Sequence, residues 1–166
     1  MHNDTVLNSI IEFVRSLGIE INIHPITETC FLPGLHINKG TISVDLEQLK
    51  YPGDLLHEAA HIAVVPLAER ASLNDTTLGE RPNNAAEEMM AIAWSYAVCK
   101  HLYIDPLIVF HEHGYKGGGA NIVENFNAGR YFGVPMLQYM GMSAEPHNAE
   151  KLNLPAFPEM KKWVLE

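Results

Sequence analysis

The stretch DLLHEAAHIAV, residues 54–64, decides the fold around it because it combines a helical pattern with two histidines and a glutamate. Side chains four positions apart lie on the same face of an α-helix, so the imidazoles of His57 and His61 can reach a common point. Glu58 projects beside them. A helical HExxH pattern is typical of a zinc site in which both imidazoles are ligands.

Apolar residues surround the two histidines. Leu56 precedes the motif, the run IAVV at residues 62–65 follows it, and two alanines fill its interior. A helix of this composition is partly buried, and a buried imidazole needs partners for its ring nitrogens. A metal ion would supply one. The alternative is a core helix whose histidines hydrogen-bond to backbone carbonyls.

The composition restricts the class of protein. The chain has 166 residues, of which 47% are hydrophobic, so we predict one domain, residues 1–166, with a core that needs no disulfide. A formal net charge of -9 leaves no general basic surface for a polyanion, which argues against nucleic acid as a partner. Cys30 and Cys99 belong to no metal-ligand pattern, and we expect reduced, buried thiols.

The sequence has no signature of a membrane protein. No segment approaches the roughly 20 consecutive apolar residues that cross a bilayer. The amino terminus has no basic segment followed by a long apolar stretch, which is the pattern of a secretory signal. We therefore expect no membrane association and a cytoplasmic location.

Apolar spacing in the first third of the chain predicts an α+β fold. Residues 6–17 have helical spacing, and residues 19–23 alternate between apolar and polar like a half-buried strand. The runs at residues 35–38 and 41–44 flank an Asn-Lys-Gly turn and predict a hairpin. A helix and a small antiparallel sheet should therefore precede the metal-binding helix.

The remainder of the chain is predicted to be mainly helical. The metal-binding helix should begin near residues 52–54, where proline suits the first turn, and should end before Pro66. Residues 67–82 are predicted mostly as a loop. After the helix that follows this loop, residues 120–130 and 135–140 are predicted to form short helices in a helical carboxy-terminal part.

A catalytic zinc site usually has three protein ligands and keeps its fourth position for water. The segment NAAEEMMAIAWSYA, residues 84–97, begins with a capping residue and offers two carboxylates, Glu87 and Glu88. Glu87 follows Asn84 at the capping-box spacing, which would engage it with the cap N–H. Glu88 is therefore the predicted ligand, on a face of small residues. Glu87 as ligand, or two solvated carboxylates in the first turn, are the alternatives.

These motifs resemble a known family. HExxH on one helix, followed after a loop by a helix that begins with paired glutamates, looks like the gluzincin branch of zinc metallopeptidases. The likeness is strongest for the small ImmA/IrrE-type domain, whose E-x-x-A-x-x-aromatic pattern falls here on Glu88, Ala91 and Trp94. The resemblance covers roughly residues 5–103 and implies a zincin-like core with bound Zn²⁺.

The resemblance also implies the site residues and their chemistry. His57, His61 and Glu88 would be the metal ligands, and Glu58 the general base. Zinc held in this way lowers the pKa of bound water toward about 7, and Glu58 takes its proton during attack on a carbonyl. The implied substrate is a peptide or protein. The strand at residues 41–44, placed by the resemblance at the sheet edge, could accept it as an added strand, or could be an ordinary edge strand.

A donor to the carbonyl oxygen that gains charge during attack is also expected. The candidates lie near the glycines at residues 117–119, and no spacing selects among them: His111, His113, Tyr115, Arg130 and Tyr131. The rival hypothesis for the whole chain is a non-catalytic metal-binding module for regulation or interaction on the same scaffold. A Glu58→Gln variant that keeps its metal but loses hydrolysis separates the two hypotheses.

Overall fold

The computed structural model describes the backbone of residues 2–166 and the side chains of residues 4–166, and its fold is mixed α+β. No helix within this range combines the length and the apolar character that crossing a membrane requires. The elements follow one another in the order α1 His2–Ser16, β1 Ile21–Ile23, β2 Leu35–Asn38, β3 Thr41–Val44, α2 Pro52–Ala63, α3 Thr77–Glu80, α4 Asn84–His101, α5 Gly119–Asn127, α6 Val134–Tyr139 and α7 Ala149–Leu152.

The three-stranded sheet is mixed, so the predicted antiparallel sheet is wrong in one pair. β3 pairs antiparallel with β2, where Ile37 lies opposite Ile42, and parallel with β1, where Ile21 lies opposite Ile42. The strand order is therefore β1-β3-β2, and β3 is the central strand instead of an edge. Ile42 and Val44 are fully buried, and a neighbour on each side satisfies the backbone groups of such a strand.

The connections explain why one pair is antiparallel and the other parallel. Lys39 and Gly40, between β2 and β3, both have positive φ, 52° and 73°, as in the tight turns whose twist suits a hairpin. The predicted hairpin is confirmed. β1 reaches β2 through residues 24–34, which is long enough to carry the chain across β3 and leave β1 parallel to it.

Helices α2 and α4 pack against each other at the centre of the core. Ala59 and Ala60 of α2 and Ala91 and Ala97 of α4 are fully buried, and such small side chains let two helices approach closely. Helix α1 and strand β3 also contact α2. Large, fully buried side chains fill the surrounding space: Leu55, Leu56, Ile62, Trp94 and Phe110. The HExxH helix is thus held from several directions.

The connection from α2 to α4 is more regular than the loop predicted for residues 67–82. Residues Leu67–Ser72 form a 3-10 helix, and α3 follows. The side chain of Asn74 accepts the backbone N–H groups of Thr76 and Thr77, each at 2.9 Å. Polar side chains that bond to nearby backbone in this way stabilise short turns that apolar periodicity does not reveal.

Residues 163–165 close the fold over the carboxyl end of α2. The N–H of Leu165 donates to the carbonyl oxygen of Ala63 at 3.1 Å, and Nη2 of Arg70 donates to the carbonyl oxygen of Leu165 at 2.8 Å. Nε1 of Trp94, on α4, donates to the carbonyl oxygen of Trp163 at 2.8 Å. This segment therefore ties the two central helices together.

The two cysteines are free thiols in different environments. Cys99 is fully buried in α4, and burial raises the pKa of its thiol to about 12. Cys30 is only partly buried, so the prediction of two buried thiols is wrong for this residue. Cys99 is a free, buried thiol as predicted, and buried thiols in apolar surroundings are poorly reactive.

Candidate metal centre

The structure brings the three predicted ligands together. Nε2 of His57 and Nε2 of His61 lie 3.0 Å apart on one face of α2. Glu88 reaches them from the first turns of α4, with Oε1 at 3.5 Å from the His57 nitrogen and Oε2 at 3.2 Å from the His61 nitrogen. The ligand atoms of the three residues all lie within 4.8 Å of one another.

These separations fit a zinc ion. Two ligands each about 2.0–2.1 Å from zinc lie about 3.3 Å apart when the bond angle is tetrahedral. The two imidazole nitrogens are 3.0 Å apart, and the nearest Glu88 oxygen to each is a different one, Oε1 at 3.5 Å from His57 and Oε2 at 3.2 Å from His61; all three distances are close to that spacing. Two neutral imidazoles that face each other through Nε2 at 3.0 Å also need a proton or a cation between their lone pairs. The donor set of two imidazoles and one carboxylate is one that catalytic zinc uses.

The three side chains are exposed to different degrees. The side chains of His57 and His61 are 15% and 16% exposed, whereas that of Glu88 is 44% exposed. The buried histidines are held by the core around α2, and Glu88 is on the open side. An open side is what a catalytic site needs, because substrate and water must reach the metal.

The electrostatics of the triad favour a cation. Burial opposes the charge of Glu88, but hydrogen bonds to His57 and His61 outweigh it and hold the pKa of the carboxyl well below its ordinary range. Burial likewise disfavours a charged His61, yet the carboxylates of Glu88 and Glu58 raise the pKa of that imidazole above its usual value. A site that stabilises positive charge on an imidazole offers the same field to a metal ion.

Glu87, the alternative ligand, is engaged elsewhere. Its side chain is buried, and Arg81 holds both of its oxygens: Nε donates to Oε2 at 2.8 Å and Nη2 donates to Oε1 at 2.9 Å. The predicted capping box does not form, because the cap of α4 is Asn83 and no side chain caps its N–H groups. The prediction failed because Arg81, six residues earlier, offers a stronger, two-point partner than a backbone N–H.

Glu58 lies between the histidines in sequence and faces the same cleft as His61 and Glu88. Burial raises the pKa of its carboxyl, and the neighbouring charges of His61 and His57 only partly oppose this effect. The structure gives Glu58 no ion pair with a lysine or arginine among the described residues. Its position and its raised pKa suit a group that accepts and returns a proton.

A cleft of about 510 Å³ opens beside these residues. Its polar wall contains Glu58, His61 and Glu88. Apolar side chains from the β2 side and from α3 also line the cleft: Phe31, Leu32, Leu35 and Leu78. This combination of apolar side chains and a few convergent polar groups is typical of a substrate site.

Tyr115 is the one candidate for a transition-state donor that contacts a triad residue in the described part of the chain. Its hydroxyl lies 3.0 Å from Nδ1 of His57. Nδ1 is on the opposite side of the imidazole from the Nε2 that faces Glu88. The hydroxyl is therefore placed to orient His57, and it lies behind the ring and not on the cleft side.

The other four candidates have different contacts. His111 is paired with Asp54, Nε2 to Oδ1 at 2.9 Å, and His113 is mostly exposed beside Glu112. Nε of Arg130 donates to the side chain of Asn125. Tyr131 packs edge-on against the rings of Phe126 and Phe157. None of these contacts involves the triad, so the expectation that one of the four reaches the metal is not supported.

Asp75, which lines the cleft, makes hydrogen bonds to the edge strand β2. Its Oδ1 accepts the N–H of Ile37 at 2.8 Å, and its Oδ2 pairs with Nδ1 of His36 at 2.7 Å. β3 has strands on both sides, so both alternatives for it, a site of peptide-strand addition and an ordinary edge strand, are wrong. On β2, the outward N–H of Ile37 is already bonded. Asp75 lies in a segment predicted as a loop, and no motif indicates a role for it.

Asp54 is a neighbour of the triad that the sequence analysis does not identify. It lies in the first turn of α2, and its side chain accepts a hydrogen bond from His111. It lies three residues before His57, so helical phase places both on one face, and that spacing could have identified it.

Comparison of the chain with protein-family models, with curated proteins and with solved structures found no match in any of the three.

Proposed function

We propose that the chain is a zinc-dependent hydrolase that cleaves peptide bonds and has a zincin-like core. The observation that carries this proposal is the convergence of one ligand atom each from His57, His61 and Glu88 within 4.8 Å, with Glu58 beside them on the wall of a cleft. Two imidazoles and one carboxylate are a donor set of catalytic zinc, which keeps a further position for water.

Glu58 performs the proton transfer in this proposal. Bound zinc would supply Lewis acidity and would lower the pKa of water toward about 7. The Glu58 carboxylate accepts a proton as water attacks the carbonyl carbon, and it returns that proton to the leaving amine nitrogen. Burial raises the pKa of the Glu58 carboxyl, which is the direction that favours uptake of a proton.

The cleft supports a peptide with an apolar side chain near the cleaved bond. Leu32, Leu35 and Leu78 line the same cleft as Glu58, and burial of an apolar substrate group against them would lower the free energy of binding. The largely exposed ring of Phe31 lines the same cleft. The net charge of -9 makes a polyanionic substrate unfavourable.

The test is metal analysis together with peptide hydrolysis. We expect about one zinc per chain, and cleavage of quenched fluorescent peptides that carry leucine or phenylalanine at variable positions. Glu58→Gln should keep the zinc and lower the hydrolysis rate about 100- to 10,000-fold, the usual contribution of a general base. Glu12→Gln, an exposed change on α1, is the matched control and should retain full activity.

Two results would reject the proposal. Hydrolysis that persists at the wild-type rate in Glu58→Gln would remove the assigned base. A wild-type protein that binds zinc tightly but cleaves no peptide in the set would instead identify a non-catalytic metal-binding module, the rival hypothesis.

A further inference from the structure

The segment at residues 108–117 packs on the amino-terminal half of α2 in a strained conformation. Tyr115 and Lys116 both have positive φ, 52° and 54°, and Gly117 follows at 80°. A left-handed conformation is uncommon for residues other than glycine, and two in succession persist only where surrounding contacts hold them. We therefore expect the contacts of the Tyr115 side chain to help maintain this conformation.

The phenol of Tyr115 contacts two groups. Its ring lies 5.2 Å from the ring of Phe110, centroid to centroid, inside the fold. Its hydroxyl lies 3.0 Å from Nδ1 of His57.

The hydrogen bond at Nδ1 decides which nitrogen of His57 is free to bind a metal. A neutral imidazole has one N–H and one lone pair. When Nδ1 carries the proton and donates it to the oxygen of Tyr115, the lone pair lies on Nε2, the nitrogen that faces His61 and Glu88. Metal-bound histidines commonly donate their second N–H to such a partner, which fixes tautomer and ring orientation.

Two further contacts keep the segment in place. Nε2 of His111 donates to Oδ1 of Asp54 at 2.9 Å, one helical turn before His57. Gly53 lies so close to the segment that a Cβ there would be 2.1 Å from the carbonyl oxygen of Ile108. These contacts at Gly53 and Asp54 hold residues 108 and 111, at the start of the segment that bears Tyr115, against the helix that bears His57.

From this geometry we infer that Tyr115 is a positioning residue, which holds His57 in the Nδ1–H tautomer and so prepares Nε2 for zinc. The inference rests on the metal site of the proposed function. It assigns Tyr115 a role behind the imidazole, in place of the transition-state donor expected among the carboxy-terminal residues.

The test compares Tyr115→Phe with Tyr96→Phe. Tyr115→Phe keeps the ring and removes only the hydroxyl. Tyr96→Phe removes a hydroxyl that donates to Oδ1 of Asn127 at 2.8 Å, away from the triad, and is the matched control. Zinc affinity is measured by competition with a chelator, and the tautomer of His57 by two-bond ¹H–¹⁵N correlation spectra of the zinc-free and zinc-loaded proteins.

We expect Tyr115→Phe to weaken zinc binding about 10- to 100-fold, as the loss of an outer hydrogen bond to a ligating histidine does. The zinc-free spectrum of His57 should shift from the Nδ1–H tautomer toward a mixture. Tyr96→Phe should change neither quantity, and melting of the zinc-free proteins checks that both variants are folded. A tautomer shift cannot arise from a general loss of stability.

The outcomes separate this inference from the proposed function. If the wild type binds zinc and Tyr115→Phe binds it within about threefold of wild type with an unchanged His57 tautomer, the role of Tyr115 is overturned and the metal site stands. If the wild type binds no zinc, the proposed function is rejected, and the role of Tyr115 with it. Weaker binding without a tautomer change would also reject the inference, because the hydroxyl would then act in another way.

Discussion

Glu88→Gln should mainly weaken zinc binding, whereas Glu87→Gln should mainly lower the stability of the zinc-free protein, although the two residues are adjacent. Glu88 faces both imidazoles and is 44% exposed, whereas Glu87 is buried and bonded to Arg81. Removal of a unit negative charge about 2.1 Å from a divalent cation costs about 4 kcal/mol even at the dielectric constant of water. The amide oxygen retains part of the coordination, so we expect roughly 100- to 1,000-fold weaker zinc binding.

Thermal unfolding with and without zinc measures this loss. At free zinc about 1,000 times the wild-type dissociation constant, binding stabilises the wild type by about 4 kcal/mol. For a chain of this size that corresponds to a rise in Tm of roughly 8–16 °C. The same zinc concentration should raise the Tm of Glu88→Gln by about 6 °C or less. Without zinc, Glu88→Gln should melt somewhat below the wild type because it removes the carboxylate that faces both imidazoles, so the rise in Tm is measured for each variant from its own zinc-free value.

Glu87→Gln should show the reverse pattern. It removes the charge that faces the guanidinium of Arg81, so the zinc-free protein should lose about 2 kcal/mol of stability. Its zinc-induced rise in Tm should equal that of the wild type. A full zinc-induced rise in Glu88→Gln, or its loss in Glu87→Gln, would refute the assignment of the third ligand.

Two predictions concern the scaffold. The N–H of Ile26 donates to Asp45 at 2.9 Å, and this bond with others lowers the pKa of the Asp45 carboxyl. The ionised carboxylate therefore stabilises the fold above its unfolded pKa of about 3.9, and this stabilisation is lost as the pH falls below that value. Asp45→Asn should therefore flatten the fall of the urea midpoint between about pH 5 and pH 2, and an unchanged slope would contradict this. Gly53→Ala should lower Tm by about 4–8 °C, although alanine favours helices, because its Cβ would meet the carbonyl of Ile108 at 2.1 Å. Gly79→Ala, with open space around it, is the control, and equal melting of the two variants would disprove the close contact.

Local patterns predicted those features that depend on local geometry. The period of the HExxH helix predicted that His57 and His61 lie on one face, and the Nε2 atoms are indeed 3.0 Å apart. The Asn-Lys-Gly turn predicted the hairpin of β2 and β3. Glu88, the predicted third ligand, is the carboxylate found at the imidazoles, although the capping box predicted for Glu87 does not form. In each case a few consecutive residues contain the necessary information.

Features that join distant parts of the chain were not predicted. β1 pairs directly with β3, although β2 lies between them in the sequence. The alternation of apolar residues does not specify whether two strands pair parallel or antiparallel. Asp75 reaches His36 across 39 positions, and Tyr115 reaches His57 across 58. Such contacts depend on how whole elements pack, which single-segment patterns do not encode. For the same reason no sequence pattern distinguishes among the five donor candidates, and only the packed structure shows that Tyr115 contacts His57.

The hydrogen bonds of residues 163–165 have a consequence for synthesis of the protein. A nascent chain that has left the ribosome only through α4 lacks the carbonyl that accepts the indole N–H of Trp94 and the N–H that binds Ala63. The two helices that bear the histidines and Glu88 then lack the hydrogen bonds that join them through residues 163–165. Because such long-range contacts form late, we expect nascent polypeptides to retain zinc firmly only after Leu165 has emerged from the exit tunnel.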